Sequence, residues 1–150
     1  TYWTQHCWGV TCVNDMEAML SYQPITIGDK EQALADLVRC YEKMMMRSHT
    51  NGGYVNLLDE CWKMCEKFHT NIVIMYDHVS CKNVGGLHGL FEDQARERGI
   101  HLIWIPHDVM DPRTVSRREM REAFSQYMVT VLNEKPLDPT LLDYEDTLSW

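Results

Sequence analysis

Two short apolar runs, Asn71-Ile72-Val73-Ile74-Met75-Tyr76 and Ile100 to Ile105, limit what this chain can fold into. Each is nearly continuous and rich in β-branched side chains, the pattern of a strand covered on both faces in a parallel sheet rather than one face open to water. A loop from Asp77 to Gly86 and a helix from about Leu87 to Arg98 separate them, with Gly99 placed as the C′ residue that ends the helix. The unit is therefore β-loop-α-β, and the fold class is α/β. A sheet of two strands is rarely stable alone in water, so further strands are expected. They can come from the segment before Asp29, from a missing N-terminal part of the polypeptide, or from a partner subunit. The missing part is the expected source, in keeping with a chain that opens Thr1-Tyr2-Trp3 rather than on Met.

Around this unit the periodicity is helical. From Asp29 to about Met46, apolar residues fall at Ala33, Leu34, Leu37, Val38, Tyr41, Met44 and Met45, spaced three and four apart. Turn formers from Ser48 to Gly53 interrupt the pattern, and Tyr54 to His69 resumes it through Leu57, Leu58, Cys61, Cys65 and Phe68. A last helix opens at Ser116, three residues before Glu119, which is the spacing of a capping box, and runs through Met120, Phe124, Tyr127, Met128 and Val131. This divides the chain into an irregular lead-in over 1–28, an α/β core over 29–135 and an acidic tail over 136–150.

Charge narrows the function classes. Fourteen Lys and Arg against 22 Asp and Glu give a net charge of −8, which opposes capture by a nucleic-acid backbone or an anionic membrane surface. No stretch approaches the roughly 20 apolar residues that span a bilayer, and no charged-then-apolar leader opens the chain, so a cytoplasmic protein is expected. In that compartment six cysteines read as thiols or metal ligands rather than disulfides.

Ligands in open α/β sheets gather beyond the carboxyl ends of the strands. The loop there reads Asp77-His78-Val79-Ser80-Cys81-Lys82-Asn83-Val84-Gly85-Gly86. Cys81 beside Lys82, ahead of a helix start, sits in positive potential suited to a thiolate, the form that binds metal or attacks as a nucleophile. Gly85 and Gly86 let the backbone come close to a ligand or a cluster sulfur. The plainer reading is a loop cysteine without a role, and on spacing alone the two stand even. His78, and His107 just after the second strand, face the same crevice as proton donors or hydrogen-bond partners, against the plainer reading of solvated loop histidines. Asp108, Asp111 and Arg113 follow at the same edge, where an Arg–Asp pair bracing the loop is the simple account. Cys61, Cys65 and His69 lie four apart on one helical face, a spacing open to metal, but Leu58 and Phe68 share that face and core packing is favoured. Cys7 and Cys12 match no metal signature and read as packing residues near a site, Cys40 as structural.

From Asn71 to Leu132 the chain resembles the C-terminal region of the 2-hydroxyacyl-CoA dehydratase family, which includes the ATP-dependent benzoyl-CoA reductases. The resemblance rests on a buried strand leading into His78-Val79-Ser80-Cys81-Lys82, on the Asp-Pro-Arg-like segment Asp108 to Arg113, and on the closing helix from Ser116 to Phe124. It covers about half of the chain; residues 1–70 match in general arrangement only. It implies a doubly wound, flavodoxin-like parallel sheet lobe, part of a larger two-lobed subunit. It also implies a [4Fe-4S] cluster held by three cysteines, of which Cys81 matches the third; the other two have no counterpart here. Cys81, Lys82, Gly85 and Gly86 are then the cofactor-binding residues and His78 the candidate catalytic group. The implied partners are a related second subunit in a heterodimer, an ATP-dependent iron-sulfur activator and an acyl-CoA substrate. The implied reaction removes water from an (R)-2-hydroxyacyl-CoA through a ketyl radical. Two alternatives stay open: reduction of an aromatic thioester as in the benzoyl-CoA reductase branch, or a non-catalytic subunit that packs against a catalytic partner and relays electrons.

Overall fold

A computed structural model describes residues 2–16, 24–42, 47, 52–111 and 113–143. The chain divides into two compact units, residues 1–12 with 71–150, and residues 13–70.

The first unit is built on the two predicted strands, β1 (Ile72–His78) and β2 (His101–His107), which pair in parallel with Ile72 opposite His101 and His78 opposite His107. Both run about two residues further than their apolar cores, so His78 and His107 are the last residues of strands and not loop residues. Successive side chains alternate between faces. Ile103 and Ile105 point into a core with Phe124 and Met128 of the C-terminal helix and with Cys7 and Trp8 of the N-terminal one, while Ile72 and Ile74 pack against its margin. On the opposite face Trp104 stacks on His88, ring centroids 3.7 Å apart, and meets the edge of Phe91 at 6.1 Å. Helices therefore cover both faces, as the apolar runs required. The cover is uneven: Ile103 and Ile105 are buried, whereas all of β1 is half-buried or exposed and Tyr76 retains 57% of its surface. Among the described residues β1 pairs with β2 alone, and its faces are not buried as fully as its apolar run led us to expect.

The helices follow from their sequences. The N-terminal helix α1 (Tyr2–Trp8) lies in what reads as an irregular lead-in; Cys7 and Trp8, adjacent in sequence, both enter the core and are buried. In the second unit, α2 (Lys30–Glu42) begins after Asp29, whose carboxylate accepts from the Gln32 amide at 3.1 Å, and α3 (Tyr54–Phe68) buries Leu57, Leu58, Cys61, Trp62 and Cys65. The expected end of α2 at Met46 lies outside the described residues. Its apolar stripe Leu34, Leu37, Val38 and Tyr41 is exposed, and the helix buries Asp36. Between the strands a single turn, α4 (Lys82–Gly85), precedes α5 (His88–Arg98), which ends at Gly99 with φ 67°, a conformation glycine adopts without a Cβ penalty. The last helix, α6 (Arg117–Thr130), carries the full capping box: the Ser116 hydroxyl accepts from the Glu119 amide, and the Glu119 carboxylate accepts from the Ser116 amide.

Beyond Lys135 the chain docks rather than trailing as a tail. The Leu137 amide donates to the Cys7 carbonyl at 2.7 Å, the Trp3 indole donates to the Leu141 carbonyl at 2.8 Å, and a short 3-10 turn spans Pro139–Leu141. Residues 144–150 lie outside the described residues. Among the described residues no helix is long and apolar enough to cross a membrane.

Candidate functional site at the carboxyl edge of the strands

The carboxyl ends of β1 and β2 bring three of the predicted residues, His78, His107 and Asp108, to one edge. Pairing of His78 with His107 sets their rings on the same face, centroids 6.0 Å apart, with Tyr76 5.2 Å from His107. The His107 carbonyl accepts the Val79 amide at 3.0 Å and also lies 3.2 Å from Nδ1 of His78. Nε2 of the same ring is 3.2 Å from the Ser80 hydroxyl. Asp108 completes the group, its Oδ1 4.0 Å from His78 Nδ1, with a side chain only 8% exposed. Its carboxyl is held below the ordinary carboxylate range, first by the Met110 amide and then by the Asp111 amide and the Thr114 hydroxyl, against the opposing effect of burial.

Cys81 is half-buried in the turn that follows; its amide donates to the His78 carbonyl at 2.8 Å and its carbonyl accepts the Gly85 amide at 3.0 Å. It precedes the four-residue α4 and not the long helix, which starts only at His88. His88 approaches Asp77 at 3.2 Å while stacking on Trp104. Lys82 is the exposed first residue of α4. A Cβ built on Gly85 would meet nothing within 4 Å, so space lies open beside it, whereas one on Gly86 would come 3.1 Å from the Lys82 carbonyl. Gly86 is therefore a glycine for local closure of the turn.

Asp111 and Arg113 form a two-pronged pair, Nε to Oδ1 at 2.9 Å and Nη2 to Oδ2 at 2.8 Å, which brace the segment after β2. Arg113 holds the Asp111 carboxyl below its ordinary range.

No family model, curated protein or solved structure matches the chain. Its site is thus argued from its own residues. Among the described residues no three of His, Cys, Asp and Glu converge to hold a metal ion. Cys61 and Cys65 are buried, while His69 is exposed at the end of α3 in the left-handed conformation. Cys7 is fully buried and its thiol is pushed up by burial and then by the charge of Asp138; Cys12 is exposed. A cluster at the strand ends would thus take one ligand, Cys81, from the described residues. The donor fits that part: a soft sulfur, partly accessible, in a loop with open space at Gly85. Ser80 is the member of the site that the sequence does not single out for chemistry, and Asp108 is one it reads only as following the second strand. Their signal is the register of the two strands, which no single segment contains.

Proposed function

We propose that the chain is the cluster-holding C-terminal lobe of a subunit of an (R)-2-hydroxyacyl-CoA dehydratase, a cytoplasmic hydro-lyase that converts a 2-hydroxyacyl-CoA to a 2-enoyl-CoA. The observation that carries this reading is the position of Cys81, half-buried in the turn after β1 and hydrogen-bonded to the last residue of that strand, at the carboxyl end where open α/β sheets gather their ligands. The helix-covered parallel pair is compatible with a doubly wound, flavodoxin-like lobe whose remaining strands lie in a larger two-lobed subunit.

On this reading the Cys81 thiolate is one of three cysteine ligands to a [4Fe-4S] cluster, the other two coming from the rest of the subunit. When bound, the cluster supplies single-electron relay and a Lewis-acidic iron. The β-hydrogen of a 2-hydroxyacyl-CoA is poorly acidic; one-electron reduction of the thioester to a ketyl lets the α-hydroxyl depart and acidifies the β-position. The chain's own residues position and protonate. His78 at the strand end holds a proton-transfer group at the edge of the site, the open space beside Gly85 admits a bulky group, and Lys82 brings positive charge. The partners are a related second subunit, an ATP-dependent iron-sulfur activator that delivers single electrons, and the acyl-CoA.

The test is anaerobic purification of the intact complex carrying Cys81→Ala or Cys40→Ala, with iron, acid-labile sulfide and cluster absorption measured for each. Cys81→Ala should lose the cluster or retain a smaller, unstable one, and Cys40→Ala should keep it. A full cluster in Cys81→Ala defeats the assignment.

A further inference from the structure

We propose that Ser80, His78 and Asp108 form a hydroxyl-activating relay that makes Ser80 an acyl acceptor for activated esters and thioesters. This activity does not rest on the cluster reading, although His78 serves in both, because no member of the relay is a cluster ligand and the relay needs no electron.

The argument begins with the two acceptors around Nδ1 of His78. The His107 carbonyl at 3.2 Å and the Asp108 carboxylate at 4.0 Å both present oxygen to that nitrogen, and neither has a proton to give while Asp108 is ionised. The favoured neutral tautomer therefore carries its hydrogen on Nδ1 and a lone pair on Nε2. That lone pair faces the Ser80 hydroxyl at 3.2 Å, so Ser80 donates and the imidazole accepts. The order of groups is nucleophile, base, orienter, with the His107 carbonyl as the hydrogen-bonded orienter and the Asp108 carboxylate, 4.0 Å from Nδ1, adding negative charge behind the imidazole. Asp108 is suited to stabilise the imidazolium that forms because its side chain is 8% exposed and fixed by the amides of Met110 and Asp111. Ser80 is exposed at the mouth of the site. Two parallel strands hold the parts: β1 supplies His78 and the turn to Ser80, and β2 delivers the His107 carbonyl and Asp108 in register.

The step balances without an oxidant. Ser80 Oγ forms a bond to the acyl carbon as its proton passes to His78 Nε2; the carbon–sulfur or carbon–oxygen bond then breaks, and the leaving thiolate or alkoxide takes the proton from Nε2. Water, deprotonated by the same nitrogen, cleaves the acyl-serine to a carboxylic acid and restores the hydroxyl. Ser80 and His78 are the catalytic residues, and Asp108 is a positioning residue.

The experiment uses the full protein in its complex, treated with a fluorophosphonate probe and separately with p-nitrophenyl acetate and acetyl-CoA, with the modified residue located by peptide mass spectrometry. The expected label lies on Ser80. Ser80→Ala should abolish it, and His78→Gln should slow it by at least about 100-fold, the lower end of what general-base assistance contributes. Asp108→Asn should slow labelling by at least about tenfold through the lost negative charge, while in ¹⁵N spectra of the imidazoles the His78 hydrogen should stay on Nδ1, held by the His107 carbonyl. Circular dichroism, unchanged in each variant, separates loss of the relay from loss of the fold; should Asp108→Asn unfold, His78→Gln decides alone. No label on Ser80, a label on Cys81 instead, or a labelling rate indifferent to His78→Gln overturns the proposal.

Discussion

Replacing Phe124 by Ala should remove the main seal between α6 and β2. The ring is 3% exposed, belongs to the cluster of Ile103, Ile105, Cys7, Trp8 and Met128, and meets Trp3 edge-on with centroids 5.8 Å apart. Buried Phe→Ala changes cost about 3–5 kcal/mol through lost transfer energy and the cavity left behind. The edge-on pair with Trp3, worth roughly 0.5–1.5 kcal/mol beyond area, places this site in the upper half of that range, about 4–5 kcal/mol. Against a whole-domain stability of about 5–15 kcal/mol that is a large fraction. With a urea slope of about 2 kcal/mol/M, ordinary for a small protein, the unfolding midpoint should fall by at least about 2 M. The assay is urea unfolding followed by far-UV circular dichroism, with amide exchange at Ile103 and Ile105 as the local reading. Val129→Ala on the same helix, 51% exposed in the wild type, should shift stability by no more than about 0.5 kcal/mol. Equal effects of the two substitutions would refute the claim that this face of β2 is closed by α6.

The Ser116→Ala variant should lose about 1 kcal/mol, the ordinary worth of an N-cap, and amide exchange should quicken in the first turn of α6, with no change at its end. Acid stability should depend on Asp36, whose carboxyl is held below the ordinary range first by the Thr26 amide, then by the Thr26 hydroxyl and Gln32. A lowered folded pKa means stabilisation that is present above the ordinary carboxyl value, about 3.9, and lost as pH falls through the folded one. Asp36→Asn should therefore be less stable than wild type at neutral pH, and the gap should narrow in acid; a gap constant from pH 7 to pH 2 would contradict this.

What the sequence disclosed was set by how local each signal is. The strands, the Gly99 stop and the Ser116–Glu119 box depend on residues within a few positions of one another, and all appear in the structure. The helical period of α2 was equally plain, yet period names an apolar face without naming what covers it, and Leu34, Leu37, Val38 and Tyr41 are exposed among the described residues. The core role of α1 was hidden because a seven-residue helix is too short to display a period, and its burial depends on Phe124 and Ile103, about a hundred residues away. The docking of Leu137 and Leu141 on the same helix is non-local in the same way.

The site shows why strand ends matter more than strand existence. Stopping β1 at Tyr76 and β2 at Ile105 makes His78 and His107 loop residues with free directions. Carrying both strands two residues further fixes them as a register pair, and in a parallel pair partners share a face. Two residues is one full period of the pleat, so His78 lies on the same face as Ile72, Ile74 and Tyr76, and His107 on that of Ile103 and Ile105. A slip of one residue in either strand would send one imidazole to the side of Trp104 and His88 and separate His78 from the His107 carbonyl. The contact between Nδ1 and that carbonyl, and through it the direction in which Nε2 faces Ser80, is thus a consequence of core packing at Ile103 and Ile105, whose burial holds the register.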